Sequence, residues 1–168
     1  DFLSEVTVKG VALDSSAVFT FCLNPGLTIH SVHSAGQQLK FKRDKQIVLV
    51  DFGTKHAKGD TISATFRYDG QIDNSFCYLD IPPEVLQASN KKFLFNIDKQ
   101  YSFQTKNYLM LTPETYWYPR AGTSYSDKNP DWQQTYFSNY RLKVKPLPGL
   151  VPLSQGEGKC DEEGVYSF

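Results

Sequence analysis

The feature that most constrains the fold is an alternation of apolar and polar side chains with a period of two. It is clearest in residues 61–68, where Ile62, Ala64, Phe66 and Tyr68 are separated by threonine, serine and arginine. Successive side chains of a β-strand point to opposite faces, so this pattern is typical of a strand that is buried on one face only. The segment is therefore predicted to be a half-buried strand.

Other segments with alternation, or with runs of β-branched and aromatic residues, predict further strands. They are residues 6–13, 19–23, 28–32, 47–52, 93–97 and 134–145. The phase of the first run breaks at Gly10, which predicts a β-bulge there. The last run is the longest, and at about 3.3 Å per residue it would cross a whole sandwich.

Turn-forming residues separate these predicted strands. They are Asn24-Pro25-Gly26, Ala35-Gly36, Lys58-Gly59-Asp60 and Asp69-Gly70. One short helix is predicted at residues 83–88, which open with proline and glutamate. Short strands, close turns and so little helix favour an all-β fold, a two-layer antiparallel β-sandwich with at most one short helix. A chain of 168 residues suits one such domain, covering residues 1–168.

Charge and cysteine content exclude several classes of function. Basic and acidic residues are balanced at 18 each, so no net positive field attracts nucleic acid. No apolar stretch approaches the roughly 20 residues that cross a bilayer, and we expect no transmembrane segment here. Cys22, Cys77 and Cys160 are widely spaced and indicate neither a disulfide framework nor a zinc knuckle. Cys22 lies in an apolar run and is expected to be a small buried side chain.

No pattern of catalytic residues occurs in the sequence. None of His30, His33 and His56 begins a His-Glu-x-x-His motif, and there is no Gly-x-Ser-x-Gly elbow. His30 and His33 are three apart in a predicted strand, so their side chains should point to opposite faces and not share a metal. His56 is expected at the surface of a basic turn. We therefore expect no catalytic residue, metal site or cofactor in this chain.

Three consecutive aromatic residues, Tyr116, Trp117 and Tyr118, mark the most unusual segment. In an extended chain Tyr116 and Tyr118 would point away from Trp117, so at least one large ring should lie outside the main core. A polar loop with two further aromatic residues follows at 121–133. Two interpretations remain open, a binding surface and a satellite core beneath that loop.

This segment and its flanks resemble the N-terminal domain of gluzincin-type zinc aminopeptidases, a group that includes aminopeptidase N and leukotriene hydrolase. The resemblance is carried by Thr112-Pro113-Glu114, Trp117-Tyr118-Pro119, a loop with Asp127 and Pro130, the strand 136–144, and the ending Val151-Pro152-Leu153-Ser154-Gln155-Gly156. The upstream hairpins also fit that domain, so the resemblance covers nearly the whole chain.

The resemblance implies a saddle-shaped sandwich that covers one side of a separate catalytic domain, expected downstream in a longer protein from which this chain is excised. That domain would hold the zinc and the general acid/base, so the parent would be a zinc-dependent aminopeptidase-like hydrolase and this chain non-catalytic. This chain would supply part of the substrate pocket and bind the α-amine at the peptide N-terminus. Glu114 best matches the amine-binding group, with Tyr116 and Trp117 as pocket walls.

The sequence departs from the family pattern at two points. Pro113 precedes Glu114 where relatives have Gln-x-Glu or Gln-x-Gln, and the Asp-x-Pro step is replaced by Asp127-Lys128-Asn129-Pro130. This suggests a divergent branch, and similar domains occur in bacterial proteins fused to transporter-type membrane segments. An extracytoplasmic or membrane-attached location is therefore favoured over a cytoplasmic one. The alternative functions are a carbohydrate-binding or adhesion module, whose rings would stack on sugars, and a structural spacer domain.

Overall fold

The computed structural model describes residues 2–73, 102–105, 107–122 and 139–168. Within these ranges the chain forms thirteen β-strands and one short 3-10 turn, Pro113–Thr115. The strands are β1 (Phe2–Val11), β2 (Ser16–Cys22), β3 (Leu27–Ser34), β4 (Gln37–Gln38), β5 (Lys40–Asp44), β6 (Ile47–His56), β7 (Thr61–Gly70), β8 (Ser102–Gln104), β9 (Leu109–Leu111), β10 (Arg120–Ala121), β11 (Lys143–Val144), β12 (Lys159–Cys160) and β13 (Tyr166–Ser167). The fold is all-β, as the sequence predicts.

Two four-stranded antiparallel sheets form the body of the molecule. Their strand orders are β1-β7-β3-β4 and β10-β2-β6-β5. The sheets pack face to face, and the rings of Phe21 in β2 and Phe66 in β7 meet edge-on between them with centroids 5.0 Å apart. The chain is therefore an antiparallel β-sandwich. Two smaller sheets, β8-β9 and β11-β13-β12, are also present among the described residues.

The core between the sheets comes from the alternating positions. In β7 the side chains of Ala64, Phe66 and Tyr68 are buried, and that of Arg67 is exposed. The second sheet contributes mainly from β2 and β6. The buried cluster is Phe21, Leu23, Leu27, Val32, Val48, Val50, Ala64, Phe66, Tyr68 and Ile72.

The outer face of the first sheet is polar and carries cross-strand pairs. Arg67 donates to the carboxylate of Glu5, its partner on β1. His30 Nε2 lies 2.9 Å from Asp69 Oδ1, an interaction that the sequence did not indicate. This face of the sandwich is therefore hydrated.

A β-bulge corrects the expectation for the two histidines of β3. The register of β3 against β7 shifts between Ile29 and Ser31, so Ile29 and Val32 both oppose inward-facing residues of β7. His33 is paired with Thr65, on the same outer face as the Asp69 partner of His30. The prediction that His30 and His33 point to opposite faces is wrong. The extra residue of the bulge shifts the alternation of side chains by one position, so both histidines lie on the same face.

The predicted bulge at Gly10 is also wrong. The β1 and β7 strands pair without a shift from Phe2 opposite Gly70 to Val11 opposite Thr61. Gly10 interrupts the hydrophobic pattern only because it has no side chain. The second register shift lies between Ser16 and Val18 in β2.

Two turn assignments also need correction. Asp69 and Gly70 continue β7 and pair with β3, so the turn predicted there is wrong. The turns predicted at Ala35-Gly36 and Lys58-Gly59 are present. His56 ends β6, and its ring meets the edges of Phe19 and Phe52, with centroids 6.0 and 5.5 Å away. It is therefore half-buried and not a surface residue of a turn.

Several predicted elements fall outside the described residues. These are the strand at 93–97, the helix at 83–88 and the first part of the strand at 134–145. In the described part of that last strand, only Lys143–Val144 is extended in a sheet. Leu142 adds two backbone hydrogen bonds to Phe168, with N···O distances of 3.1 and 2.9 Å.

Candidate functional site

The segment with the three aromatic residues begins with a tight 3-10 turn. Pro113 opens the turn, where its fixed φ suits a helical start. Thr115 closes it, with its N–H donating to Thr112 O at 3.1 Å and its hydroxyl donating to the same oxygen at 2.7 Å. Tyr116 then adopts the left-handed conformation, with φ 50° and ψ 41°. The chain therefore bends at Tyr116 and is not extended through the aromatic run.

This bend sends the three rings to different places. Tyr116 is only 5% exposed, and the Arg120 guanidinium lies 5.4 Å from its ring centroid. Trp117 is half-buried and packs against the cluster between the sheets, and Tyr118 meets its ring edge-on at 4.9 Å. Tyr116 and Tyr118 are not part of that cluster. The three rings thus do not share one core.

The chain beyond the rings is bound to the edge of the second sheet. In β10, Arg120 pairs with Cys22 and Ala121 pairs with Phe21. The Gly122 N–H donates to Thr20 O at 2.9 Å, and the Cys22 thiol donates to Gly122 O at 3.3 Å. Cys22 is 1% exposed, so its predicted burial is confirmed. Residues 112–122, which we call the aromatic strap, are therefore fixed to the sandwich.

The strap is also bound from beneath by polar groups of the core. The Asn24 N–H donates to Tyr116 O at 2.8 Å, and the Tyr68 hydroxyl donates to Trp117 O at 2.9 Å. Sequence patterns did not reveal these two anchors. The alternation in residues 61–68 predicts a core position for Tyr68, and Asn24-Pro25-Gly26 predicts only a turn. Nothing local in the sequence indicates their partners in the strap.

Glu114 lies in the middle of the 3-10 turn and is half-buried. Ion pairs in the part of the chain that the structure describes join His30 with Asp69, His56 with Asp60, and Arg67 with Glu5, and do not include Glu114. A half-buried carboxylate outside these ion pairs can accept hydrogen bonds from a cationic group. Glu114, Tyr116 and Trp117 thus lie on the same strap, and the two rings have different surroundings.

A shallow depression of about 410 Å³ lies elsewhere on the sandwich. It is lined by Pro25, Leu27, Thr28, Ile29, Phe41, Arg43 and Lys45. Arg43 donates to the main-chain oxygens of Leu23, Asn24, Leu27 and Lys45. Burial lowers the pKa of its guanidinium. Arg43 therefore serves as a clamp between loops, and none of the three predicted site residues lines this depression.

The described residues do not fit a zinc site. Across residues 2–73, 102–105, 107–122 and 139–168, no group of three His, Cys, Asp or Glu side chains is placed to hold a metal ion. In the same ranges no helix is both long and apolar enough to cross a membrane.

Solved structures of M1 zinc metallopeptidases resemble the chain. A mutant of a two-domain M1 zinc metallopeptidase bound to L-arginine matches with a TM-score of 0.63 and 14% identity, over 97% of this chain and 33% of that chain. A mutant of a two-domain M1 zinc metallopeptidase bound to L-tryptophan matches with a TM-score of 0.61 and 15% identity, over 98% of this chain and 33% of that chain. An M1 zinc metallopeptidase from Deinococcus radiodurans has a TM-score of 0.41 and 22% identity, over 48% of this chain and 18% of that chain.

The matches to the two-domain structures define the class of fold. The chain has a fold that M1 zinc metallopeptidases contain, and it spans about a third of the length of the two-domain structures. It spans less than a fifth of the Deinococcus radiodurans chain. No family profile and no curated protein matches the sequence. At these identities the likeness shows a shared fold.

Proposed function

We propose that the chain is a non-catalytic domain of an M1-type zinc metallopeptidase, in which it shapes the substrate pocket and binds the α-amine of a peptide. The observation that carries this proposal is the fold likeness over 97% of this chain to only 33% of a two-domain M1 zinc metallopeptidase. In the proposal, the chain is therefore one domain of a longer polypeptide. In the proposal, a downstream domain of the same polypeptide holds the zinc and the general acid/base.

The aromatic strap supports the proposed role in substrate binding. Glu114 is half-buried on a turn that is hydrogen-bonded to the core. A hydrogen bond to an ionised group is roughly twice as strong as a neutral one, and it strengthens further when a second domain excludes water. An ammonium group is a suitable partner for such a carboxylate. We therefore assign Glu114 to the α-amine.

Of the two predicted pocket walls, we assign Trp117 to contact with a substrate and Tyr116 to a supporting role. Trp117 is half-buried, so part of its ring remains available to a substrate or to the second domain. Tyr116 is 5% exposed, and it would contribute mainly by supporting the turn and the neighbouring Arg120. The sugar-binding alternative requires open ring faces, and neither of these two rings gives it specific support.

We also propose a cellular location for the longer polypeptide. The resemblance to bacterial proteins with transporter-type membrane segments favours an extracytoplasmic or membrane-attached protein. Attachment would be provided by parts of the polypeptide other than the sandwich. Fractionation of cells that express the full-length polypeptide would test this location.

Replacement of Glu114 by glutamine tests the amine-binding role. In the full-length polypeptide, Glu114→Gln should raise KM for aminoacyl reporter substrates about tenfold or more and lower turnover, since a hydrogen bond to a charged group contributes about 1.5–3 kcal/mol. Steady-state kinetics would measure both constants. Glu157→Gln is the matched control, because Glu157 is an exposed carboxylate outside the strap. Equal KM values for the two variants would remove Glu114 from this role.

A further inference from the structure

Asn24 is a fully buried polar residue directly beneath the turn that carries Glu114. Its side-chain N–H donates to Thr115 O at 2.9 Å and lies 3.4 Å from Asp73 O. Its side-chain oxygen accepts from the N–H groups of Gly26 at 3.0 Å and Asp73 at 2.9 Å. Each polar atom of this amide therefore has partners, as a buried amide requires.

The main chain of Asn24 adds further bonds around the same point. Its N–H donates to Tyr116 O at 2.8 Å. Its carbonyl oxygen accepts from Leu27 N at 3.0 Å and from Arg43 Nη2 at 2.6 Å. Asn24 thus joins the β2–β3 connection, residue 73 and the Glu114 turn in one network.

The turn that carries Glu114 is short. It comprises three residues, and its backbone hydrogen bonds are Thr115 N to Thr112 O at 3.1 Å and Tyr116 N to Pro113 O at 3.2 Å. Short 3-10 segments have poor hydrogen-bond geometry and little stability of their own. The two bonds from Asn24 to the carbonyls of Thr115 and Tyr116 are therefore direct bonds from the sandwich to the turn, and they contribute to its position.

The main chain around Asn24 is closely packed and hydrogen-bonded. A Cβ added at Gly26 would lie 2.2 Å from Gln71 O and 2.7 Å from Asp73 N, so the two backbones are in direct contact. Arg43 donates to the main-chain oxygens of Leu23 and Asn24 in the same connection, and to that of Leu27 at its end. Asn24 is therefore held on one side by the core and on the other by the turn.

We propose that Asn24 is a positioning residue for substrate binding, which sets the location of the Glu114 carboxylate by holding the carbonyls of Thr115 and Tyr116. This inference rests on the proposed role of Glu114. Groups that bind a reacting molecule depend on neighbours that fix their orientation, and loss of such a neighbour costs about 10–100-fold in related settings. Alanine at residue 24 would leave the Thr115 carbonyl without its side-chain donor.

A double-mutant cycle in the full-length polypeptide tests the inference. We expect Asn24→Ala to raise KM for aminoacyl substrates by about 10–100-fold. Because Asn24 acts through Glu114, the double variant Asn24→Ala/Glu114→Gln should have the KM of Glu114→Gln alone. A merely structural residue would instead give effects that multiply. Val32→Ala is the control, since it truncates a buried core residue of β3 and should leave KM unchanged.

A milder variant covers the case in which Asn24→Ala does not fold. Asn24→Ser introduces no charge, and its hydroxyl oxygen can still accept from the Gly26 N–H, as serine does in turns. Its side chain ends one bond short of the amide nitrogen that donates to Thr115 O, so KM should rise as for alanine and again show no further increase with Glu114→Gln.

The outcomes separate this inference from the proposed function. If Glu114→Gln leaves KM unchanged, the amine-binding role fails and the inference fails with it. If Glu114→Gln raises KM but the Asn24 variants do not, or if their effects multiply, the role of Glu114 stands and the positioning role of Asn24 is overturned.

Discussion

At the scale of single residues, polar side chains inside the sandwich bind the strap that lies over it. Tyr68 has its ring in the core and its hydroxyl bonded to Trp117 O at 2.9 Å. Burial raises the pKa of Tyr68 to about 12 from its ordinary 10.0, and a hydrogen bond with Ser4 opposes the rise. The folded chain therefore favours the neutral phenol.

The pKa of Tyr68 predicts a loss of stability at high pH. The unfolded chain releases the phenolic proton near pH 10 while the folded chain retains it, so the unfolded state binds fewer protons and stability falls as pH rises from 10 toward 12. From about pH 9 to about pH 11, this residue should remove about 1 kcal/mol from the free energy of unfolding. Urea unfolding of the wild type and of Tyr68→Phe at both pH values would measure it. The stability advantage of the wild type should shrink at the higher pH, and a constant difference would contradict the assigned pKa.

Some residues of the candidate site can be identified from the sequence, and their contacts cannot. The sequence alone identifies the unusual aromatic run and Glu114 as candidate site residues, and in the structure they lie on the aromatic strap. Tyr68 was correctly assigned to the core by alternation. Its bond to Trp117, 49 residues away, could not be predicted because no local pattern encodes contacts between distant segments.

At the scale of elements, close contact between two backbones joins the β2–β3 connection to the end of β7. A Cβ on Gly26 would meet Gln71 O at 2.2 Å, and one on Gly70 would meet Gly26 O at 2.6 Å. Gly70 also has a φ of 129°, which side chains rarely adopt. These two glycines let the strand end and the connection approach each other.

Alanine substitutions should separate this contact from ordinary glycine positions. Gly26→Ala forces the two backbones apart and should lower the free energy of unfolding by about 1–3 kcal/mol. Gly10→Ala is the matched control, because nothing lies within 4 Å of the added methyl and alanine suits a strand interior better by about 0.5 kcal/mol. Urea midpoints of the two variants provide the comparison. Equal stability of the two variants would show that the contact at Gly26 is not tight.

Strand pairing explains which elements could be predicted. Alternation predicts β7 and much of β1, β2, β3 and β6, because burial on one face requires apolar residues at every second position. The bulge between Ile29 and Ser31 does not alter this pattern in the sequence, so the prediction that His30 and His33 point to opposite faces is wrong. Gly10 and Asp69-Gly70 were misread because both motifs occur in bulges and turns as well as in regular strands. Their role is set by the partner strand.

At the scale of the whole molecule, two sheets enclose the core and the aromatic strap lies along the edge formed by β2 and β10. The sandwich followed from alternation and turn spacing in the sequence. Short motifs in the strap and in the segments after it indicate a resemblance to zinc aminopeptidases, and the fold likeness to a two-domain M1 zinc metallopeptidase covers 97% of the chain. The proposed catalytic domain cannot be derived from this sequence, because the proposal places its residues outside it.

Chelator-sensitive hydrolysis tests the central claim most directly. Aminoacyl reporter substrates would be assayed with the full-length polypeptide and with the 168-residue chain alone, each before and after treatment with a chelator and re-addition of zinc. We expect the full-length polypeptide to hydrolyse the reporters, to lose activity with the chelator and to regain it with zinc, while the isolated chain stays inactive throughout. Hydrolysis by the isolated chain, or no chelator-sensitive hydrolysis by the full-length polypeptide, would contradict the role of a non-catalytic metallopeptidase domain.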